Sequence, residues 1–248
     1  RFSFVLAAVA TAALAVVWML AVRDRPAGEH SAAAPSPEAV SWRPLLANRN
    51  LALLAAGYFT LNYFEYIFFY WIYYYFGEIR RVGEARSAVY TTILLLTMMF
   101  MLPLGGWVSD RLIPRWGAPR SRRAVAMTGM ILSAVLLGIG TSVDREPLMV
   151  VLLALALGFT TSAEGPFWAA AIEAGAGQSG AASGILNGVG NLGGLVAPVL
   201  TPYIARQAGW AASLYFAGAV VLAGAVTWLW VAPVGDHPTR RRGASIKA

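Results

Sequence analysis

The stretch 105-GGWVSDRLIPRWGAPRSRR-123 decides how the rest of the chain is read. It holds five arginines and one aspartate. An apolar run from Ala88 to Val108 leads into it and another, Ala124 to Gly140, leads out. A helix of about 20 mainly apolar residues crosses a hydrocarbon layer of about 30 Å. Charge gathered between two such runs reads as a short loop at a membrane surface, where Lys and Arg collect on the cytoplasmic side.

The whole composition agrees. Of 248 residues, 58% are hydrophobic and 12% charged, against about 25% charged in an ordinary soluble domain. Seven spans are predicted: Phe2–Val22, Leu51–Phe76, Ala88–Val108, Ala124–Ser142, Pro147–Ala171, Ser183–Ala205 and Ala211–Val231. The first is longer than a signal-peptide core of about 7–15 residues and is read as a spanning helix. Residues 23–50, rich in Pro, Ala, Ser and charge, read as a cytoplasmic linker. Residues 51–232 then form a six-helix bundle, and 233–248 a cytoplasmic tail.

Thirteen of the 19 basic residues fall in 23–50, 109–123, 172–182 and the tail, which places those segments in the cytoplasm. The net charge of +7 is therefore a topology signal and not a nucleic-acid footprint. Nearly all the basic residues are arginine, which points to a GC-rich bacterial genome and an inner membrane. The chain has no cysteine and two histidines, His30 and His237, both outside the spans. Thiolate metal sites are excluded, no metal-ligand spacing occurs, no cofactor is called for, and enzyme chemistry finds no cluster to use.

Polar groups inside spans are costly and mark an interior cavity or a partner. Tyr58, Asn62, Glu65 and Phe69 recur at helical spacing and share one face. Tyr66 belongs to the same aromatic segment, whose rings divide between lipid packing and a site for a polar organic solute. Glu164 is the second carboxylate at membrane depth. Glu65 and Glu164 each suit a proton, a cation or a cationic part of a substrate, or a neutral hydrogen bond between helices. Asn187 and Asn191 lie four apart, toward a cavity or an interhelical hydrogen bond. Gly184 with Gly188, and Gly190 with Gly194, have the spacing that lets helices approach closely. Pro166, Pro198 and Pro202 remove backbone donors and invite kinks. Glu173 reads as surface.

Three stretches carry a resemblance. GGWVSDR resembles the G-x-x-x-D-R loop signature of the major facilitator superfamily, on Gly106, Asp110 and Arg111. The usual Gly-Arg-Arg continuation is stretched here over Arg115, Gly117, Arg120, Arg122 and Arg123, a form similar to the anion:cation symporter branch (sugar-acid, phthalate and sialate permeases). Residues 42–71 and 184–210 resemble the seventh and eleventh helices of that branch.

The resemblance implies an all-α integral membrane fold, with the seven helices corresponding to helices 6–12 of a twelve-helix fold. It implies a missing N-terminal half of the same polypeptide, a lipid bilayer as host, and a symporter taking a small organic anion with a coupling ion. It further implies that Asp110 contacts the opposite half as a gate. The alternative is that Asp110 caps a helix or pairs with a neighbouring arginine. The implied substrate contacts are Tyr58, Asn62, Tyr66, Phe167, Trp168, Asn187 and Asn191, with Glu65 and Glu164 in coupling. The rival reading is a receptor, sensor or scaffold that keeps the fold without transport.

Overall fold

A computed structural model describes residues 2–22 and 40–232, and every regular element among them is helical. The chain divides into two units, Arg1–Ala39 and Val40–Ala248. The first contains α1 (Phe2–Ala21), one apolar helix of spanning length. The tail 233–248 and most of the expected linker, 23–39, lie outside the described residues.

The second unit contains α2 (Trp42–Leu46), α3 (Arg49–Tyr74), one π-helical turn (Tyr75–Ile79), α4 (Glu84–Trp116), α5 (Ala118–Ser142), α6 (Glu146–Ser162), α7 (Glu164–Ala174), α8 (Ser179–Ala208) and α9 (Trp210–Thr227). The end of the segment read as linker is thus the short helix α2. Six stretches are long and apolar enough to cross a membrane: α1, α4, α5, α6–α7 together, α8 and α9. The seventh predicted span, α3, is long enough, but its tyrosines, Asn62 and Glu65 lower its hydropathy. It also carries more buried residues than any other helix, with Leu54, Leu61 and Phe64 fully buried.

The loop expected at 109–123 is corrected to a single residue. α4 runs through Asp110, Arg111 and Arg115 to Trp116, and α5 begins at Ala118. Gly117 alone makes the reversal, at φ +76°, a conformation that glycine adopts without steric cost. Gly209 does the same between α8 and α9 at φ +87°.

Helix ends sort into two sets. At one, Asn48 caps α3 by accepting from the backbone N–H groups of Asn50 and Leu51 and donates to the Ala174 carbonyl at 2.9 Å. Asn50 exchanges two hydrogen bonds with the backbone of Ala232. Arg122 pairs with Glu173, which lies at the surface as expected. Arg123 donates to the Val231 carbonyl. At the other end, Arg80 donates to the Val143 carbonyl, and Arg86 and Tyr90 both reach Glu146.

Between these ends α3 packs most extensively on α8. Lipid tails are as apolar as leucine, so helices associate through close packing and small residues. A Cβ on Gly193 would sit 2.1 Å from the Phe59 carbonyl oxygen, and one on Gly190 2.4 Å from the Tyr58 ring. Gly194 seats Tyr66 in the same way. Gly184 and Gly188, the other expected close-approach pair, have open space.

The prolines divide too. α8 continues through Pro198 and Pro202 without interruption. Pro202 has no N–H for the Pro198 carbonyl, and the Trp71 indole donates to that oxygen at 3.3 Å instead. The interruption of the expected 147–171 span falls at Ala163, between α6 and α7. Pro166 follows and cannot donate to Ser162.

Candidate functional site

The α6–α7 break puts Glu164 at the first position of α7, where a carboxylate is favoured by the exposed N–H groups and the helix dipole. It points toward the polar face of α3. The Tyr58 hydroxyl donates to Glu164 Oε2 at 3.4 Å and accepts from Trp168 Nε1 at 3.0 Å. Tyr58 and Trp168 meet edge-on, with ring centroids 6.2 Å apart.

One turn along α3, Asn62 donates to the Tyr58 carbonyl at 3.0 Å. Glu65 lies next on this face, 3% exposed, and neighbours Glu164. Among the described residues its Oε1 has no hydrogen-bond donor.

A second polar group adjoins along α3. Tyr66 donates to Asn191 Oδ1 at 3.0 Å. Asn191 in turn donates to the Asn187 carbonyl at 2.8 Å and to Asn187 Oδ1 at 3.0 Å. Both asparagines are exposed on α8. Tyr66 stacks on Tyr70 at 6.0 Å and meets Phe69 at 5.5 Å. The two groups share one seam because Gly190 and Gly194 of α8 lie directly under Tyr58, Asn62 and Tyr66.

Eight of the nine residues expected to bind or couple therefore fall on this seam. Phe167 does not. Its ring is fully buried, 5.6 Å from Tyr58 and 4.9 Å from Trp228. Neighbours on a helix point about 100° apart, so Phe167 supports Tyr58 from behind while Trp168 reaches it from the side. The expected contact of Phe167 with a solute is corrected to packing.

The Gly106, Asp110, Arg111 group lies on α4. Asp110 is exposed and has no Lys or Arg within 4.0 Å among the described residues. Arg111 lies over the Trp107 ring at 5.0 Å. Gly106 reaches the site indirectly: a Cβ on Gly165, next to Glu164, would meet its Cα at 3.2 Å. The closer contact belongs to Gly105, which sequence reasoning missed. A Cβ there would fall 1.9 Å from the Ser162 carbonyl oxygen, the oxygen that Pro166 leaves without its helical donor. The pair Gly105–Pro166 is the signal that could have found it.

Chemically, the seam offers amide and phenol groups for hydroxyls and carboxylates, aromatic edges for a carbon skeleton, and two carboxyl groups. Among the described residues no Lys, Arg or His lies within 4.0 Å of either carboxylate.

The Major Facilitator Superfamily model matches residues 92–247. The chain is 28% identical over 235 residues to a hexuronate transporter of Bacillus subtilis, covering 90% of this chain and 54% of that protein. It is 26% identical over 201 residues to a D-galactonate transporter of Escherichia coli, covering 80% and 45%. A probable sulfoacetate transporter of Cupriavidus necator is 26% identical over 209 residues, covering 83% and 48%. The chain spans about half the length of these relatives.

Proposed function

The chain belongs to the Major Facilitator Superfamily, and from that premise we propose that it is the C-terminal portion of a secondary transporter. Its cargo is a small organic anion of the sugar-acid or carboxylate class, moved by alternating access and coupled to a proton or cation. The hexuronate, galactonate and sulfoacetate relatives support the cargo class. The observation that carries the reading is the continuous polar seam on α3, α7 and α8, at membrane depth in a chain otherwise this apolar. Such groups are retained in a membrane where they line a solute path or bind a partner.

In this reading Asn187, Asn191 and Tyr66 bind the hydroxyls of the anion, and Trp168 and Tyr58 flank its carbon frame. The seam supplies no cation, so the positive partner for the substrate carboxylate comes from an N-terminal half of the same polypeptide. Repeated halves that rock about a midplane site are the general design of such transporters. The arginine-rich helix ends face the cytoplasm of a bacterial inner membrane. Asp110 and Arg111 meet the other half at that face and stabilise one access state.

Uptake of labelled D-galactonate and D-glucuronate by inner-membrane vesicles holding the full polypeptide tests this. Accumulation against a gradient is expected, with loss of 10-fold or more in apparent affinity for Asn191→Ala. Absence of uptake of every sugar acid, with the protein folded in the membrane, refutes the cargo class.

A further inference from the structure

A separate cavity of about 310 Å³ lies where the C-terminal ends of α3 and α8 meet the start of α9. Small-molecule sites hold about 300–1,000 Å³, with mostly apolar and aromatic walls and few polar groups. Three rings form the wall here. Trp71, Tyr74 and Trp210 all meet one another, with centroids 5.9, 5.8 and 5.5 Å apart. The Trp71 indole is fixed by its bond to the Pro198 carbonyl. Gly209 alone reverses the chain between α8 and α9, which brings Trp210 and Arg206 to the same cavity.

Arg206 is exposed in the last turn of α8. At this end of the bundle Arg80 reaches Asp144 and the Val143 carbonyl, and Arg86 pairs with Glu146. Among the described residues Arg206 has no acidic group within 4.0 Å, and the guanidinium that lies over a ring is that of Arg111. A guanidinium so placed can take a planar carboxylate in two parallel hydrogen bonds, while the rings beside it cover a carbon frame. Tyr and Trp also gather in belts at membrane surfaces. A belt explains rings at this depth but not their convergence on one cavity with a cation in its wall.

A row of rings joins this cavity to the seam. Tyr66, Tyr70 and Tyr74 recur every four residues on α3 and share one face. Tyr66 bonds Asn191 in the seam and stacks on Tyr70, and Tyr74 meets Trp210 in the cavity. The rise from Tyr66 to Tyr74 is about 12 Å, so the cavity is a site apart from the seam. We propose that it is a second site for a sugar acid. Arg206 takes the carboxylate there and Trp71, Tyr74 and Trp210 take the carbon frame, before the anion passes along Tyr70 to Asn191. This deepens the transport reading and rests on its cargo class. With the arginine-rich helix ends in the cytoplasm, the cavity lies at the opposite membrane surface, where uptake begins.

Binding is tested apart from transport, by saturation-transfer NMR of D-galactonate on the full polypeptide in phosphatidylcholine nanodiscs, with Asn191→Ala weakening the seam. Signal is expected to persist in that variant. Adding Arg206→Gln is expected to raise the dissociation constant about 10-fold, and Arg206→Lys to recover part of the loss. Absence of signal in Asn191→Ala, or an equal signal with and without Arg206→Gln, overturns the site. A galactitol signal that depends on Arg206 overturns the carboxylate as what it reads. Signal abolished in phosphatidylglycerol nanodiscs assigns the cavity to a lipid headgroup and overturns the sugar acid.

Uptake of labelled D-galactonate tests the order of the steps. Arg206→Gln alone is expected to raise the apparent KM about 10-fold and to leave the maximal rate unchanged, because the seam is intact. An unchanged KM overturns capture at this cavity. If the unsubstituted polypeptide moves no sugar acid, the transport reading fails while the Arg206-dependent signal still decides the site. If uptake proceeds and the signal ignores Arg206, the site fails and the transport reading stands. Arg206 is exposed at a helix end, so neither variant removes a buried contact.

Discussion

Adjacent glycines on α4 predict opposite outcomes for the same substitution. A Cβ on Gly105 would lie 1.9 Å from the Ser162 carbonyl oxygen and 2.5 Å from its carbon, whereas ordinary contact begins at 3.4 Å. The obstacle is backbone, so no rotamer change relieves it, and α4 must withdraw from the α6–α7 break by about 1.5 Å, the difference of those distances. Overpacking by a methyl group costs typically 1–3 kcal/mol, and a rigid obstacle belongs at about 3. Replacing glycine by alanine inside a helix returns about 1 kcal/mol, so Gly105→Ala is expected to destabilise by about 2 kcal/mol net. Gly106 has nothing within 4 Å of its Cβ position, and Gly106→Ala is expected to stabilise by up to about 1 kcal/mol.

The two variants then differ by about 3 kcal/mol, or about 6–12 °C in melting temperature at about 2–4 °C per kcal/mol for this chain length. Thermal unfolding in detergent micelles, followed by tryptophan fluorescence at one scan rate, measures the difference directly. If Gly105→Ala melts at or above Gly106→Ala, the backbone contact between α4 and the break is wrong. The coupling of the motif helix to Glu164 is then wrong with it.

Asn48→Ala removes an N-cap and the bond to Ala174, so a loss of about 1–2 kcal/mol is expected by chemical denaturation; Asn48→Asp keeps the cap and should recover part of it. Removing either member of the Arg122–Glu173 pair, whose arginine is 12% exposed, should cost about 1–3 kcal/mol, and a double-mutant cycle should show the two losses to be non-additive. Trp168→Phe removes the donor to the Tyr58 hydroxyl while keeping a ring, so it should lower apparent substrate affinity in vesicle uptake with little change in melting temperature. Equal affinity would place Trp168 outside the solute path.

The helices were legible because their composition is dictated by lipid. Their ends were less so. Arg111, Arg115, Arg120 and Arg122 suggested a loop, yet long basic side chains carry their charge to water from a helical backbone, so charge marks the membrane surface without marking the end of a helix. Gly117, with Pro119 just after it, was the better signal, because glycine ends helices and proline begins them.

The α3 stripe of Tyr58, Asn62, Glu65 and Tyr66 was readable from spacing within one helix. That Glu164 and Trp168 meet that stripe, and Phe167 does not, depends on how α7 is rotated against α3. No period in either segment encodes that rotation. Similarly, Gly184 and Gly188 have the same spacing as Gly190 and Gly194, and only the neighbouring helix distinguishes them.

The three glycines of α8 that lie against α3, Gly190, Gly193 and Gly194, also govern how this protein can diversify. Any mutation that adds an atom at Gly190, Gly193 or Gly194 pushes directly on α3 or its site residues, so these positions are closed to gradual change. Asn187 and Asn191 are exposed on the same helix, and exchanging them alters side-chain hydrogen bonds such as that from Tyr66 to Asn191, while leaving the glycine contacts in place. New preferences for one acid over another should therefore arise by substitution at the asparagines, on a frame held constant by residues that have no side chain at all.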